Sequence, residues 1–191
     1  MLFNKKILLY FILVSLSTSI ALANSGFTIS AEVELSRVIK LEKKFILDYI
    51  QNTEIYPKFF PNIVCVNKIN ETQTEWLYRV EPPLASPYNL IFILENKSSG
   101  DTLVLESVDK SKDYLLCIAR LTELQENKTQ ITFRFKITMT RENASDIHFL
   151  AGILGEKFLS ERMKEKLEDD LETFISNATR DMYIARRQAG K

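Results

Sequence analysis

Residues 54–64 read EIYPKFFPNIV, and their reading decides the fold. Pro57 and Pro61 sit among Tyr56, Phe59 and Phe60, with Tyr49 just upstream. Before this stretch the pattern is helical. In LEKKFILDYI, residues 41–50, Leu41, Phe45, Ile46, Tyr49 and Ile50 share one helical face. After it the apolar period drops to two. Proline has no N–H to donate and its ring clashes with the preceding turn, so one long helix is forbidden here. The expectation is a short helix, a helical turn over 57–60, and then a strand. Whether the aromatics only stiffen this connection or form the lip of a site is the question the rest of the chain must answer.

Working outward, 27–35 (FTISAEVEL) alternates Phe27, Ile29, Ala31, Val33 and Leu35 with polar residues, as a strand with one wet face does. Downstream, strands are expected at 63–69, 75–81, 89–95, 102–108, 114–123 and 130–141. Their connections are hairpin-length, which predicts an antiparallel meander. From Phe149 to Ile175 the helical period returns: Phe149, Leu150, Ile153, Leu154, Phe158, Leu159, Met163, Leu167, Leu171, Phe174 and Ile175 form an apolar stripe, with Ser145 or Asp146 as N-cap. The fold class is therefore α+β: a curved seven-stranded antiparallel sheet wrapped around a long C-terminal helix, with two short helices between strands 1 and 2. A curved sheet gripping one helix leaves room between its layers for an apolar ligand.

The ends of the chain set its organisation. Lys5-Lys6, an apolar run over 7–16 and Ala21-x-Ala23 read as a secretory signal peptide over 1–23, cut after Ala23; the run is short for a membrane-spanning helix, and an uncleaved anchor is the alternative. Removing 23 of 191 residues leaves 168, over 24–191: one domain over 24–179, with a basic, flexible tail expected over 180–191. The chain is then expected outside the cytoplasm, periplasmic or extracellular. Its formal charge of 0 becomes −2 without Lys5 and Lys6, which argues against nucleic-acid binding. Cys65 and Cys117 would be bridged only if their Cα atoms came within about 7 Å; two buried thiols are the other reading. Five Asn-x-Ser/Thr triplets, at Asn70, Asn96, Asn127, Asn143 and Asn177, are either glycan acceptors or turn residues at strand ends.

FILDYIQNTEIYPKFFPNIVCVNKI, residues 45–69, resembles the START-like (SRPBCC, helix-grip) superfamily in its helix, Y-P-x-F-x-P and strand segment. The pattern is similar to that of the polyketide cyclase and coenzyme-Q-binding branch. EPPLASPYNLIF (81–92) resembles the superfamily's proline-containing loop, and LEDDLETFI (167–175) the end of its last helix. The resemblance implies the helix-grip fold and a cavity for a small hydrophobic molecule such as a lipid, quinone, sterol or polyketide. The fold hosts many functions, so the ligand does not follow from it.

Chemistry-bearing residues are few. His148 is the single histidine and is expected exposed in a first helical turn. No zinc spacing or glycine-rich phosphate loop occurs, and neither a metal nor a cofactor is expected. Glu168, Asp169, Asp170 and Glu172, interleaved with lysines, read as a solvated face. Strand parity puts Trp76, Tyr78, Phe92, Leu103, Leu105, Phe133 and Phe135 on the concave face as core or pocket wall. Trp76 and Tyr78 carry polar atoms that need partners. Arg120, in parity with Leu116 and Ile118, is a candidate inward charge. Phe149 and Ile153 complete the candidate pocket, with Tyr56 and Phe60 as its mouth. Gly152 and Gly155 permit either close packing on the sheet, the preferred reading, or a kink opening the cavity. The expectation is an exported, monomeric binding domain for a small hydrophobic ligand, with transient contact to a membrane. Its alternatives are a filled-core interaction domain or a cyclase/dehydratase-type enzyme using Arg120 or Tyr78.

Overall fold

The computed structural model describes residues 26–81, 86–147 and 149–189. The expected leader, the loop prolines Pro82 and Pro83, and His148 lie outside them. The described elements are β1 (Phe27–Ile39), α1 (Lys43–Gln51), α2 (Ile55–Phe59), β2 (Ile63–Lys68), β3 (Gln73–Val80), β4 (Tyr88–Asn96), β5 (Thr102–Ser107), β6 (Asp113–Gln125), β7 (Lys128–Arg141), a 3-10 turn (Ala144–Asp146) and α3 (Ala151–Ala189). The strands form one antiparallel sheet in the order β1-β7-β6-β5-β4-β3-β2. Its dry face packs on α3, as the alternating pattern requires: Ile29, Ala31 and Val33 of β1 meet the core with Ile131, Phe133, Phe135, Ile137 and Met139 of β7.

β1 and β2 occupy opposite edges, so the chain between them must cross the whole sheet. Residues 43–59 make that crossing as two short helices. Ile46 and Ile50, one helical turn apart, bury the inner face of α1. Pro57 lies in the first turn of α2, where its missing N–H has no intrahelical acceptor to lose, and Pro61 follows the α2 C-cap, Phe60. Tyr56 and Phe60 are both 1% exposed. The tyrosine ring stacks on Phe174 of α3 at 5.2 Å and tilts against Trp76 at 4.8 Å. Phe60 stacks on Phe135 at 5.1 Å. These rings bolt the crossover to helix and sheet at once.

The unpaired edge of β1 is partly satisfied by α3. Glu156 Oε1 accepts from the Thr28 amide at 2.5 Å, Ser160 Oγ from Ser30 at 3.1 Å, and the Tyr183 hydroxyl from Lys40 at 2.9 Å. Such caps remove the edge amides that would otherwise template further pairing. At the turns, Asn70 Oδ1 accepts from Thr72 and Gln73, and Asn96 Oδ1 from Ser98. Asn127 adopts a φ of 55°, and Asn143 forms a capping box with Asp146. The turn reading thus accounts for four of the five triplets. Both cysteines are free thiols.

Two expectations are corrected. The segment 180–189, expected to be a flexible tail, continues α3: Met182 is 2% exposed and Tyr183 holds the β1 edge. The basic composition lies on the helix's outer side, while Ala178 and Met182 extend its dry stripe. Gly155 does not serve close packing. With φ 78° and ψ 160° it breaks the helix, and a Cβ there would meet nothing within 4 Å. Only glycine adopts this backbone without strain.

A candidate ligand cavity beside the filled core

Between the sheet and α3 lie two unlike regions. Around the second half of the helix the space is full. Leu167, Leu171, Phe174, Ile175, Ala178 and Met182 are buried against the sheet and α2. Trp76, Phe92, Leu103, Leu105, Phe133 and Phe135 are each 3% exposed or less and belong to this packed core. Trp76 Nε1 donates to Thr74 Oγ1 at 3.0 Å and the Tyr56 hydroxyl to the Ile50 carbonyl at 3.1 Å, so neither needs a ligand to satisfy it.

Around the first half of the helix the space is open. A cavity of about 560 Å³ has three walls. Ile29, Ile137 and Met139 form its sheet wall; Tyr78, Val80 and Tyr88 line the β3–β4 side; Ile147 and Leu150, just before α3, and Leu154, Phe158, Leu159 and Met163 of α3 close it from the third side. Arg79 and Glu81, paired at 3.0 Å, and Arg162 stand at the rim. The surface is apolar except at one inner corner, where Asn62, Tyr78 and Lys166 converge.

Behind that corner sits Asp170, 2% exposed. Asn62 Nδ2 donates to its Oδ2 at 2.5 Å, and Lys166 Nζ binds Oδ1. Burial lifts the Asp170 carboxyl above the usual aspartate range despite the opposing pull of Lys166. Tyr78 is likewise held protonated well past the ordinary phenol value, by burial first and by the nearby Asp170 charge, against a hydrogen bond with Asn62. The corner therefore presents an amide, a phenol and an ammonium, braced by a buried acid, to an otherwise apolar volume.

Of the sequence candidates for the pocket, Tyr78 lines this cavity. Trp76, Phe92, Leu103, Leu105, Phe133 and Phe135 fill core instead. Arg120 points outward: the dry face of β6 takes Leu115, Cys117, Ala119 and Leu121. Phe149 and Ile153 are 63% and 83% exposed and lie outside the lining. Tyr56 and Phe60, expected at the mouth, are buried in the aromatic cluster and do not line this cavity. Asp170, assigned by the charge pattern to a solvated face, is the buried exception. Its signal was present in the spacing: Leu167 three residues before it and Phe174 four after share its helical face. Among the described residues no group of three His, Cys, Asp or Glu side chains could hold a metal, and no helix is long and apolar enough to cross a membrane.

Family-model and curated-protein comparisons find no match to the sequence. Solved structures do match. A STAR-related lipid transfer protein from Xanthomonas axonopodis superposes with a TM-score of 0.52 at 10% identity, over 80% of this chain and 85% of that one. The fold is the START-like helix grip. Another match is the di-domain ARO/CYC StfQ of the steffimycin biosynthetic pathway, with a TM-score of 0.56 and 14% identity over 85% of this chain and 53% of that one. A protein from Thermus thermophilus matches with a TM-score of 0.57 and 12% identity, over 81% of this chain and 98% of that one. At these identities the START-like likeness speaks for the fold. The resemblance carried by residues 45–69 and the superposition agree on it.

Proposed function

We propose that the chain is an exported START-like domain that binds a small hydrophobic molecule in the cavity between the sheet and the first half of α3. The observation that carries this reading is the cavity itself. At about 560 Å³ it falls within the range of ligand sites, roughly 300–1,000 Å³, and it is apolar save for one polar corner. A filled-core interaction domain would have no such space. The ligand's apolar body lies along Ile29, Ile137, Leu159 and Met163. Its polar end takes the Tyr78 hydroxyl and the Asn62 amide. A lipid, quinone, sterol or polyketide-like molecule with one oxygenated end fits this description. No cofactor enters the reading.

Exposed Ile153 and Phe158 flank the cavity and support transient contact with a membrane, from which such a ligand is drawn. Export rests on the expected leader; the mature chain then begins at Asn24, which intact mass of the protein recovered from its host checks. The binding reading is tested by native mass spectrometry after mild purification. A co-purifying lipophilic species is expected, at one per chain. A bare chain that also fails to take up a fluorescent lipid ends the proposal.

A second reading, cyclase- or dehydratase-type catalysis, draws on the Tyr78–Asp170 corner, since a buried acid with a raised pKa beside a cavity is a site for proton transfer. Turnover of a polyketide-like substrate that survives Tyr78→Phe and Asp170→Asn would remove it.

A further inference from the structure

A second concave feature lies on the other half of α3, away from the cavity. Ser176, Thr179, Arg180, Tyr183, Ile184 and Arg187 recur at helical spacing and, with Arg37 of β1, enclose a groove of about 400 Å³. Three arginines line it and no carboxylate does. Arg37 has a loose ion pair, 3.6 Å, to Glu172, which is outside the lining and 67% exposed. Arg180 Nη2 donates to Asn177 Oδ1 at 3.2 Å, and Arg187 has no ion-pair partner among the described residues. Glu172 and the neighbouring Asp181 offset part of this positive charge from outside the lining.

Two hydroxyls in the groove are underused. Thr179 Oγ1 is buried and has no hydrogen-bond partner among the described residues. A buried hydroxyl is ordinarily satisfied, so an orphan calls for an explanation. Tyr183 accepts from the Lys40 amide at 2.9 Å, which leaves its own proton to donate. Guanidinium forks and hydroxyl donors around one volume match a tetrahedral oxyanion, because arginine meets phosphate bidentately and keeps its charge at any biological pH. The Tyr183 ring and Ile184 add an apolar wall.

We propose that this groove binds a phosphate group carried by an apolar or aromatic body, with Arg37, Arg180 and Arg187 on the phosphate oxygens and the Thr179 and Tyr183 hydroxyls donating to them. The phosphate belongs to a free phosphomonoester or to a phospholipid headgroup. The site does not depend on the cavity being occupied, and either proposal survives failure of the other.

The test uses the full chain at low salt. Phenyl phosphate and inorganic phosphate are titrated by calorimetry, and sedimentation is measured with phosphatidylglycerol and phosphatidylcholine vesicles. Saturable binding is expected in at least one phosphate arm. Arg180→Gln/Arg187→Gln should weaken it at least tenfold and Thr179→Val about threefold, while Arg120→Gln/Arg134→Gln, which removes the same charge from the outer sheet face, leaves it within twofold. Phenyl phosphate binding without sedimentation assigns the free ester. Sedimentation with phosphatidylglycerol alone, lost in the groove variant, assigns the headgroup. Absence of binding in every arm, or equal loss in the two double variants, overturns the proposal.

Discussion

From Leu167 to Met182, α3 turns Leu167, Leu171, Phe174, Ile175, Ala178 and Met182 into the core. From Ala151 to Lys166 the same helix leaves Ile153, Leu154 and Phe158 exposed and sets Leu159 and Met163 along a cavity. Both halves carry an apolar stripe, and both cover the same sheet. What differs is what reaches them from outside the helix. The second half meets Tyr56 and Phe60, delivered by α2, with Trp76 behind them. Among the described residues the first half meets no such insertion, and Gly155 turns its opening residues, 151–154, away from the straight path of the remainder. The crossover therefore decides which end of the grip is solid and which is hollow.

The largest effect is expected where the solid end is held. Phe174 packs on Tyr56, Phe60 and Phe133, with centroids 5.2, 5.7 and 5.5 Å away. Phe174→Ala should cost about 3–5 kcal/mol of stability in urea unfolding, as for other buried aromatics. An equivalent truncation at the hollow end, Phe158→Ala, should cost well under about 1 kcal/mol. Equal losses would break the comparison.

The boundary between the two ends is polar. Asn62→Ala takes the amide donor from the buried Asp170 carboxylate and should cost about 1–3 kcal/mol at neutral pH. Asp170 already has a raised pKa in the fold, so its own contribution favours stability at low pH and is lost as pH rises through the folded value. Without Asn62 that pKa rises further. The penalty should therefore shrink as pH falls and the carboxyl protonates; a penalty independent of pH would show that the amide serves some other partner.

Gly155→Ala adds a Cβ with room to spare but in a backbone conformation closed to alanine, costing about 1–3 kcal/mol unless the break straightens. Alanine tolerated with unchanged cavity binding would mean that the break does not shape the hollow end.

The smallest effect belongs to the outer sheet face. Glu106 takes hydrogen bonds from Lys97, Tyr114 and Lys110. Chiefly the two lysines lower its pKa from 4.5 to about 2. A depressed acid stabilises above its unfolded pKa and loses that contribution as pH falls through the folded one. Glu106→Gln should be less stable than the parent by less than about 1 kcal/mol at pH 7, the two converging near pH 2. A difference that persists at pH 2 would rule out charge as its source.

The sheet was legible because its strands alternate cleanly; Ile131 to Met139 shows the dry face residue by residue. Residues 54–64 gave the crossover for a local reason, since two prolines and a change of period admit few paths. β6 was harder. Leu115-Leu116-Cys117-Ile118 is apolar at both parities, and the pairing of Cys117 with Phe135 selects the face, placing Arg120 outside. The division into solid and hollow ends was not legible, because it depends on where α2 lands on α3 and no local pattern encodes that contact. Trp76 and Phe135 look the same in sequence whether a ligand or Tyr56 and Phe60 lie against them. Asp170 was hidden by its charged neighbours, although its place on the apolar stripe marked it.

The central claim is that the hollow end, and not the aromatic end, holds the ligand. Binding of a fluorescent fatty-acyl probe to the parent, to Met163→Trp and to Phe60→Leu, each confirmed folded by circular dichroism, tests it directly. One saturable site is expected in the parent. Filling the cavity at Met163 should weaken binding at least tenfold, and thinning the solid end at Phe60 should leave it within twofold. A parent that binds no probe, or a Met163→Trp variant that binds as well as the parent, would contradict the account.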